Sequence, residues 1–150
     1  MTTYHPLATP SAKPEAGAPP ARLCLTLPYP PSVNHYWRRR GAAYFIAKEG
    51  QQFRARVCEL AQDAGLSAPM LGPLGVQILA SAPDRRRRDL DNITKALLDA
   101  LAHAGIYADD SQVSRLELAW MEPGRGQVSV GVRVLAQRYV PLCLDESVSQ

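Results

Sequence analysis
Apolar residues along this chain fall into blocks whose spacing switches between a period of two and a period of three to four. Leu23, Leu25 and Leu27 alternate with Cys24 and Thr26, the pattern of a half-buried strand, and Pro28-Tyr29-Pro30-Pro31-Ser32 then forces the backbone out of a sheet. Asn34 to Arg40 shows no period and reads as a loop. Between Ala47 and Ala64 the apolar positions Phe53, Val57, Leu60, Ala61 and Ala64 recur at helical spacing and Gly65 comes next, which predicts an amphipathic helix with Arg54 and Arg56 on its solvated side. Val76, Ile78, Ala80 and Ala82 alternate up to Pro83 and predict a second strand. A second helix is expected over residues 91–104, with Ile93, Leu97, Ala100, Leu101 and Ala104 inward, His103 as a cation near its end and Gly105 as its stop. Leu116, Leu118 and Trp120 alternate before the turn Glu122-Pro123-Gly124-Arg125-Gly126, and Val128, Val130, Val132 and Val134 alternate after it. This pair predicts an antiparallel hairpin, with Trp120 in the core. The expected fold is a single α+β domain: a small mixed sheet with two main helices in the order β-α-β-α-β-β.

Composition sets the boundaries. The chain of 150 residues, 46% hydrophobic and 21% charged, suits one globular domain. Five of the 13 prolines stand in the first 20 residues, among Ala, Ser and Thr, so residues 1–21 read as a disordered extension. Residues 22–136 form the predicted domain, and residues 137–150 a tail without a period. Cys24, Cys58 and Cys143 are far apart and form neither a disulfide framework nor a metal cluster with histidine. The sequence holds no apolar run long enough to cross a bilayer and no signal-peptide pattern, so a cytoplasmic protein without a membrane partner is expected. The net charge of +3 is too mild to mark a nucleic-acid binder by itself; where the charges lie says more.

They concentrate between the second strand and the second helix, in Asp84-Arg85-Arg86-Arg87-Arg88-Asp89-Leu90-Asp91-Asn92. If that segment is extended through Asp91, Asp89 and Asp91 point to one side, because strand side chains alternate. Two carboxylates on one point repel unless a cation joins them, and paired oxygens with room for water suit Mg²⁺. Helix capping is the plainer account and explains one of the two. Lys95, one turn after Asp91, is either an ordinary ion-pair partner or a cation placed beside a metal-bound phosphate, with Asp99 positioned to hold it. Arg38, Arg39 and Arg40, three adjacent cations directly after the aromatics His35, Tyr36 and Trp37, suit phosphates and bases.

Asp109 and Asp110 form a third acidic site, where capping a turn is again the plain account. A straight helix of about 13 residues carries the chain about 20 Å from Asp91, and about five loop residues recover at most about 17 Å. Asp110 therefore falls short of its own Asp91. A twofold dimer in which Asp110 of one copy meets Asp89 and Asp91 of the other removes the shortfall.

Pro30-Pro31-Ser32-Val33-Asn34, the run Pro83 to Asn92, Lys95, Asp99-Ala100-Leu101, Ala104-Gly105 and Asp109-Asp110-Ser111-Gln112-Val113 together resemble the RusA family of Holliday junction resolvases, in order and across residues 23–135. The resemblance implies an intertwined homodimer that cleaves four-way DNA junctions by paired nicks in strands of like polarity, in recombination and repair. It implies Mg²⁺ as cofactor, with Mn²⁺ able to substitute. The family's catalytic acids fall on Asp89, Asp91 and Asp110, its essential lysine on Lys95 and its DNA-contacting arginine on Arg88; Asp109 matches a further family acid and is an additional candidate ligand. Arg85, Arg86 and Arg87, with Arg38, Arg39 and Arg40, are candidate contacts to flanking phosphates. Four consecutive arginines cannot all face one way, so part of the run is solvated. Two other readings remain open: a junction-binding module without chemistry, and a nucleotide-sugar transferase using D-x-D, for which the chain is short and lacks a glycine-rich phosphate loop.

Overall fold
The computed structural model of the chain describes residues 20–139. Apart from their innermost residues, the extension and the tail lie outside that range, as does Cys143. Six strands and three helices succeed one another: β1 (Arg22–Pro28), α1 (Val33–Tyr36), β2 (Trp37–Arg40), β3 (Ala43–Ile46), α2 (Lys48–Asp63), β4 (Leu74–Ser81), α3 (Thr94–His103), β5 (Val113–Trp120) and β6 (Gln127–Val134). The main sheet has the order β1-β6-β4-β5, antiparallel except for the parallel pair β4–β5. That pair is joined through α3, the long crossover that parallel neighbours require.

One face of the sheet carries the core. The register aligns Leu25, Val130, Ile78 and Leu118 across the four strands, with Leu23, Val132, Val76 and Leu116 one row away. Phe53, Val57 and Ala61 of α2 and Ala96, Leu97, Ala100 and Leu101 of α3 join this face in one buried cluster. Each large aliphatic side chain buried there stabilises the fold by about 1.5–3 kcal/mol before entropy is counted. No helix among the described residues is long and apolar enough to cross a membrane.

Five expectations need correction. The hairpin of β5 and β6 does not form, because β4 lies between them; residues 121–126 cross over the end of β4, with Met121 N donating to Ala80 O at 2.8 Å and Gly124 N to Ala82 O at 2.6 Å. Trp120, expected in the core, is 42% exposed, since β5 is an edge strand reaching past the helices. The loop read over Asn34 to Arg40 instead forms α1 and one arm of the β2–β3 hairpin, turned at Gly41, whose φ of 63° suits a residue without Cβ. The element order is accordingly longer than β-α-β-α-β-β. Arg54, placed on the solvated side, reaches back so that its Nε donates to the hydroxyl of buried Tyr36 at 2.5 Å. Burial, the leading cause, raises the Tyr36 phenol above its ordinary value.

Candidate active site
The arginine-rich segment leaves the buried end of β4, where Ser81 Oγ donates to Glu122 O at 2.6 Å and accepts from Arg125 N at 3.2 Å. Asp84 organises the loop beyond it: its Oδ1 accepts from Arg86 N at 2.9 Å and from Arg88 Nη1 at 2.6 Å. The Arg88 hydrogen bond, then that of Arg86 N, lowers the Asp84 carboxyl to about 2. Arg88 Nη1 also donates to Arg86 O at 3.1 Å, and its guanidinium carbon lies 6.0 Å from the Tyr29 ring centre. Arg88 therefore turns inward and ties the loop, while Arg85, Arg86 and Arg87 stand exposed. This division meets the expectation that the run cannot face one way.

Asp89 is extended (φ −91°, ψ 132°) and starts a 3-10 turn over Leu90–Ile93 that leads into α3. The alternation argument for a common side reaches only as far as Asp89, because Asp91 is already in that turn. Neither acid behaves as a cap. Asp89 makes no side-chain cap hydrogen bond, and among the described residues no cation lies within ion-pair distance of Asp89 or Asp91. Lys95 Nζ approaches Asp99 Oδ2 at 3.5 Å rather than Asp91. Asp89 shares an open cleft of about 570 Å³ with Tyr29, Ser32, His35, Arg87, Arg88 and Asn92. The Tyr29 hydroxyl is buried there without a hydrogen-bond partner, and burial raises its titration above the ordinary value.

Asp109 and Asp110 divide differently. Asp109 caps the 3-10 turn Asp110–Gln112: its Oδ1 accepts from Ser111 N at 2.7 Å, and Gln112 completes a capping box. The Ser111 hydrogen bonds hold the Asp109 carboxyl below its usual range. Gln112 Oε1 accepts from Ala108 N at 2.9 Å while its Nε2 donates to Met70 O at 3.1 Å and Gly72 O at 3.0 Å. Asp110 is exposed and forms no ion pair among the described residues. Beneath it Tyr107 is buried, its hydroxyl donating to Leu98 O at 2.9 Å. Burial, reinforced by Asp110, Asp99 and Asp109, holds that phenol far above its usual range.

The three candidate acids do not meet in one copy. Val113, just after Asp110, pairs with Leu74 at the start of β4, whereas Asp89 lies beyond β4's far end at Ser81. Among the described residues no group of three or more His, Cys, Asp or Glu side chains could hold a metal ion. Uncommitted carboxylate oxygens on Asp89, Asp91 and Asp110 fit a hard divalent cation by their chemistry, though not as a single-chain set. Arg38, Arg39 and Arg40 lie on the β2–β3 hairpin rather than in the Asp89 cleft; Arg39 Nε donates to Gly41 O at 2.7 Å and the guanidinium sits 5.7 Å from the Tyr44 ring centre. The sequence pattern did not bring Tyr29, Ser32 and His35 into one cleft with Asp89 and Asn92; the first three stand in or just after the proline-broken run that follows β1.

Exposed carboxylates suit a hard cation, and the neighbouring arginines suit phosphate. The sequence profile of the family described as endodeoxyribonuclease RusA matches residues 28–134. The chain is 50% identical over 88 residues to the crossover junction endodeoxyribonuclease rusA of Enterobacteria phage HK97, covering 59% of this chain and 73% of that protein. It is 40% identical over 102 residues to crossover junction endodeoxyribonuclease RusA of Escherichia coli strain K12, covering 68% and 85% respectively. The counterpart from Shigella sonnei is 41% identical over the same length. By this similarity the protein is an endonuclease. It belongs to the RusA family.

Proposed function
We propose that this endonuclease resolves four-way DNA junctions by paired symmetric nicks, in DNA recombination and repair, as a cytoplasmic homodimer using Mg²⁺ or, in its place, Mn²⁺. The observation that carries the reading is the split among the polar side chains of the two loops: Asp84, Asp109 and Gln112 are consumed in tying their own backbone, whereas Asp89, Asp91 and Asp110 are left exposed and, among the described residues, unpaired. The names of the relatives supply the substrate, crossover junctions.

Asp89 and Asp91 of one copy, with Asp110 of a second, hold the metal in a composite site, and the twofold axis creates two such sites to match the paired arms of a junction. Bound Mg²⁺ supplies a water deprotonated near neutral pH and positive charge against the phosphate. Lys95 leaves Asp99 to neutralise the charge that grows on the leaving oxygen as the phosphorus–oxygen bond breaks. Arg85, Arg86, Arg87 and Arg88 contact DNA phosphates, joined by Arg38, Arg39 and Arg40 of the hairpin, and Arg88, tied to Asp84, also keeps the loop in register with Asp89.

Incubation with a mobile four-way junction and with linear duplex of the same sequence, each with Mg²⁺ or with EDTA, tests the activity. Symmetric nicks on the junction alone, and only with Mg²⁺, are expected; binding without nicking in every condition would favour the module without chemistry. The composite site has its own test. A mixed dimer of one Asp89→Asn chain and one Asp110→Asn chain keeps one intact site and should nick, whereas inactivity equal to that of either parent would overturn the shared arrangement.

A further inference from the structure
The face of the main sheet opposite the helices carries residues that the proposed active site does not use. Its register places Arg22 of β1, Arg133 of β6, Gly75 of β4 and Arg115 of β5 in one row across all four strands. The next row is Cys24, Gly131, Gln77 and Glu117. All three arginines are exposed, and among the described residues none has a carboxylate within ion-pair distance. Glu117, the one acid in these rows, accepts from Gln77 Nε2 at 3.1 Å.

The two glycines shape the surface between these cations. A Cβ at Gly75 would lie 3.4 Å from Arg133 Nε and 3.2 Å from Leu135 Cδ2, so the missing side chain lets Arg133 lie low over the sheet. Above Gly131 a Cβ would meet nothing within 4 Å. The result is a depression of about 240 Å³ floored by Gly75 and Gly131 and rimmed by Arg22, Arg115 and Arg133. At about 4.8 Å per strand the row spans about 14 Å, wide enough to meet more than one phosphate of a strand.

We infer that this open face is a second DNA-binding surface, which holds the phosphate backbone of a duplex arm. Charge complementarity selects the partner: three guanidiniums without an ion-pair partner among the described residues, beside the single acid Glu117, can donate to phosphate oxygens over a glycine floor, and guanidinium is the group suited to do so in fixed geometry. The rows contain no aromatic residue on which an unpaired base could stack, so the occupant is backbone of paired DNA rather than a single strand. Gly75 and Arg115 lie at the end of β4–β5 from which Asp110 projects, so an arm held here continues towards the acid that each copy contributes to a composite site. The inference rests on the reading of the protein as a junction endonuclease for its partner, but not on the placing of the metal.

The test is the salt dependence of binding, measured in EDTA so that no strand is cut. Four-way junction and linear duplex are titrated with the full chain and with the Arg22→Gln/Arg115→Gln/Arg133→Gln variant between about 50 and about 200 mM salt, a range in which each phosphate contact contributes about 0.9 to the slope of log affinity against log salt. Loss of three contacts lowers the slope by about 2.7, so across that range the affinity of the wild type should fall about 40-fold more than that of the variant. The corresponding triple lysine variant should keep most of the wild-type slope, and Gly131→Asp, which places a carboxylate in open space on the floor, should weaken binding. An unchanged slope in the glutamine variant would overturn the proposal, as would its conversion to a smaller species in sedimentation, which would make the face a contact between copies. Failure of the protein to nick junctions leaves these slopes measurable, so the two readings fail separately.

Discussion
At the scale of single residues, chemically identical aspartates have separate tasks, and their hydrogen bonds tell them apart. Asp110→Asn keeps the arginine contacts and removes an uncommitted carboxylate, so it should bind junctions with affinity near wild type and lower nicking on the order of 10²-fold or more; gel-shift and single-turnover cleavage on one preparation check both halves. Asp84 gives the opposite expectation. Its carboxyl is held near 2 in the fold, against about 3.9 in an unfolded chain. The ionised form is thus favoured by folding: its stabilisation of the loop is complete above about pH 4 and is lost as pH falls through about 2. A carboxyl titration followed by NMR should find Asp84 titrating near 2, and Asp84→Ala should speed tryptic cleavage within the arginine run. The sequence made the candidates legible, since the run and the second acidic pair stand out by charge alone. It did not reveal which acid serves structure, because that depends on Arg88 folding back and on Gln112 reaching the carbonyls of Met70 and Gly72 across the chain.

At the scale of elements, α2 is fixed where its Gly50 lies against the hairpin. A Cβ at this position would lie 2.7 Å from Ile46 Cγ2 and 2.9 Å from Tyr36 Cδ2. Alanine gains about 1 kcal/mol of helix propensity, but overpacking a tight contact costs about 1–3 kcal/mol. Gly50→Ala should therefore be neutral to destabilising by up to about 2 kcal/mol in urea unfolding, where a free helix would gain stability. Both long helices and the strands β1, β4, β5 and β6 were legible because period alone identifies them. Which strands pair was not: alternation fixes the face a strand buries and says nothing about its neighbour. The β5–β6 turn looked sufficient for a hairpin, yet the strand-helix-strand order of β4, α3 and β5 calls for a parallel pair, and β4, buried along most of its length, takes an inner place. The β2–β3 hairpin was hidden by its arginines, although Gly41-Ala42 before Tyr44-Phe45-Ile46 is a turn leading into strand formers.

At the scale of the whole molecule, the edge strand β5 and the residue after it leave Leu116 40%, Trp120 42% and Met121 41% exposed, apolar surface suited to a second copy. Trp120→Glu should shift sedimentation from twice the 16.4 kDa chain mass to the single chain and abolish nicking, with circular dichroism unchanged; a variant that nicks normally as a dimer would remove β5 from the interface. The crossover through α3 has a kinetic consequence. It separates Asp89 and Asp91 from Asp110 along the chain, so under the proposed sharing of acids between copies an isolated copy, however well folded, should be inert rather than slow. Below the concentration at which copies associate, nicking should then rise with the square of the protein present rather than in proportion to it, so that simple dilution would silence the enzyme.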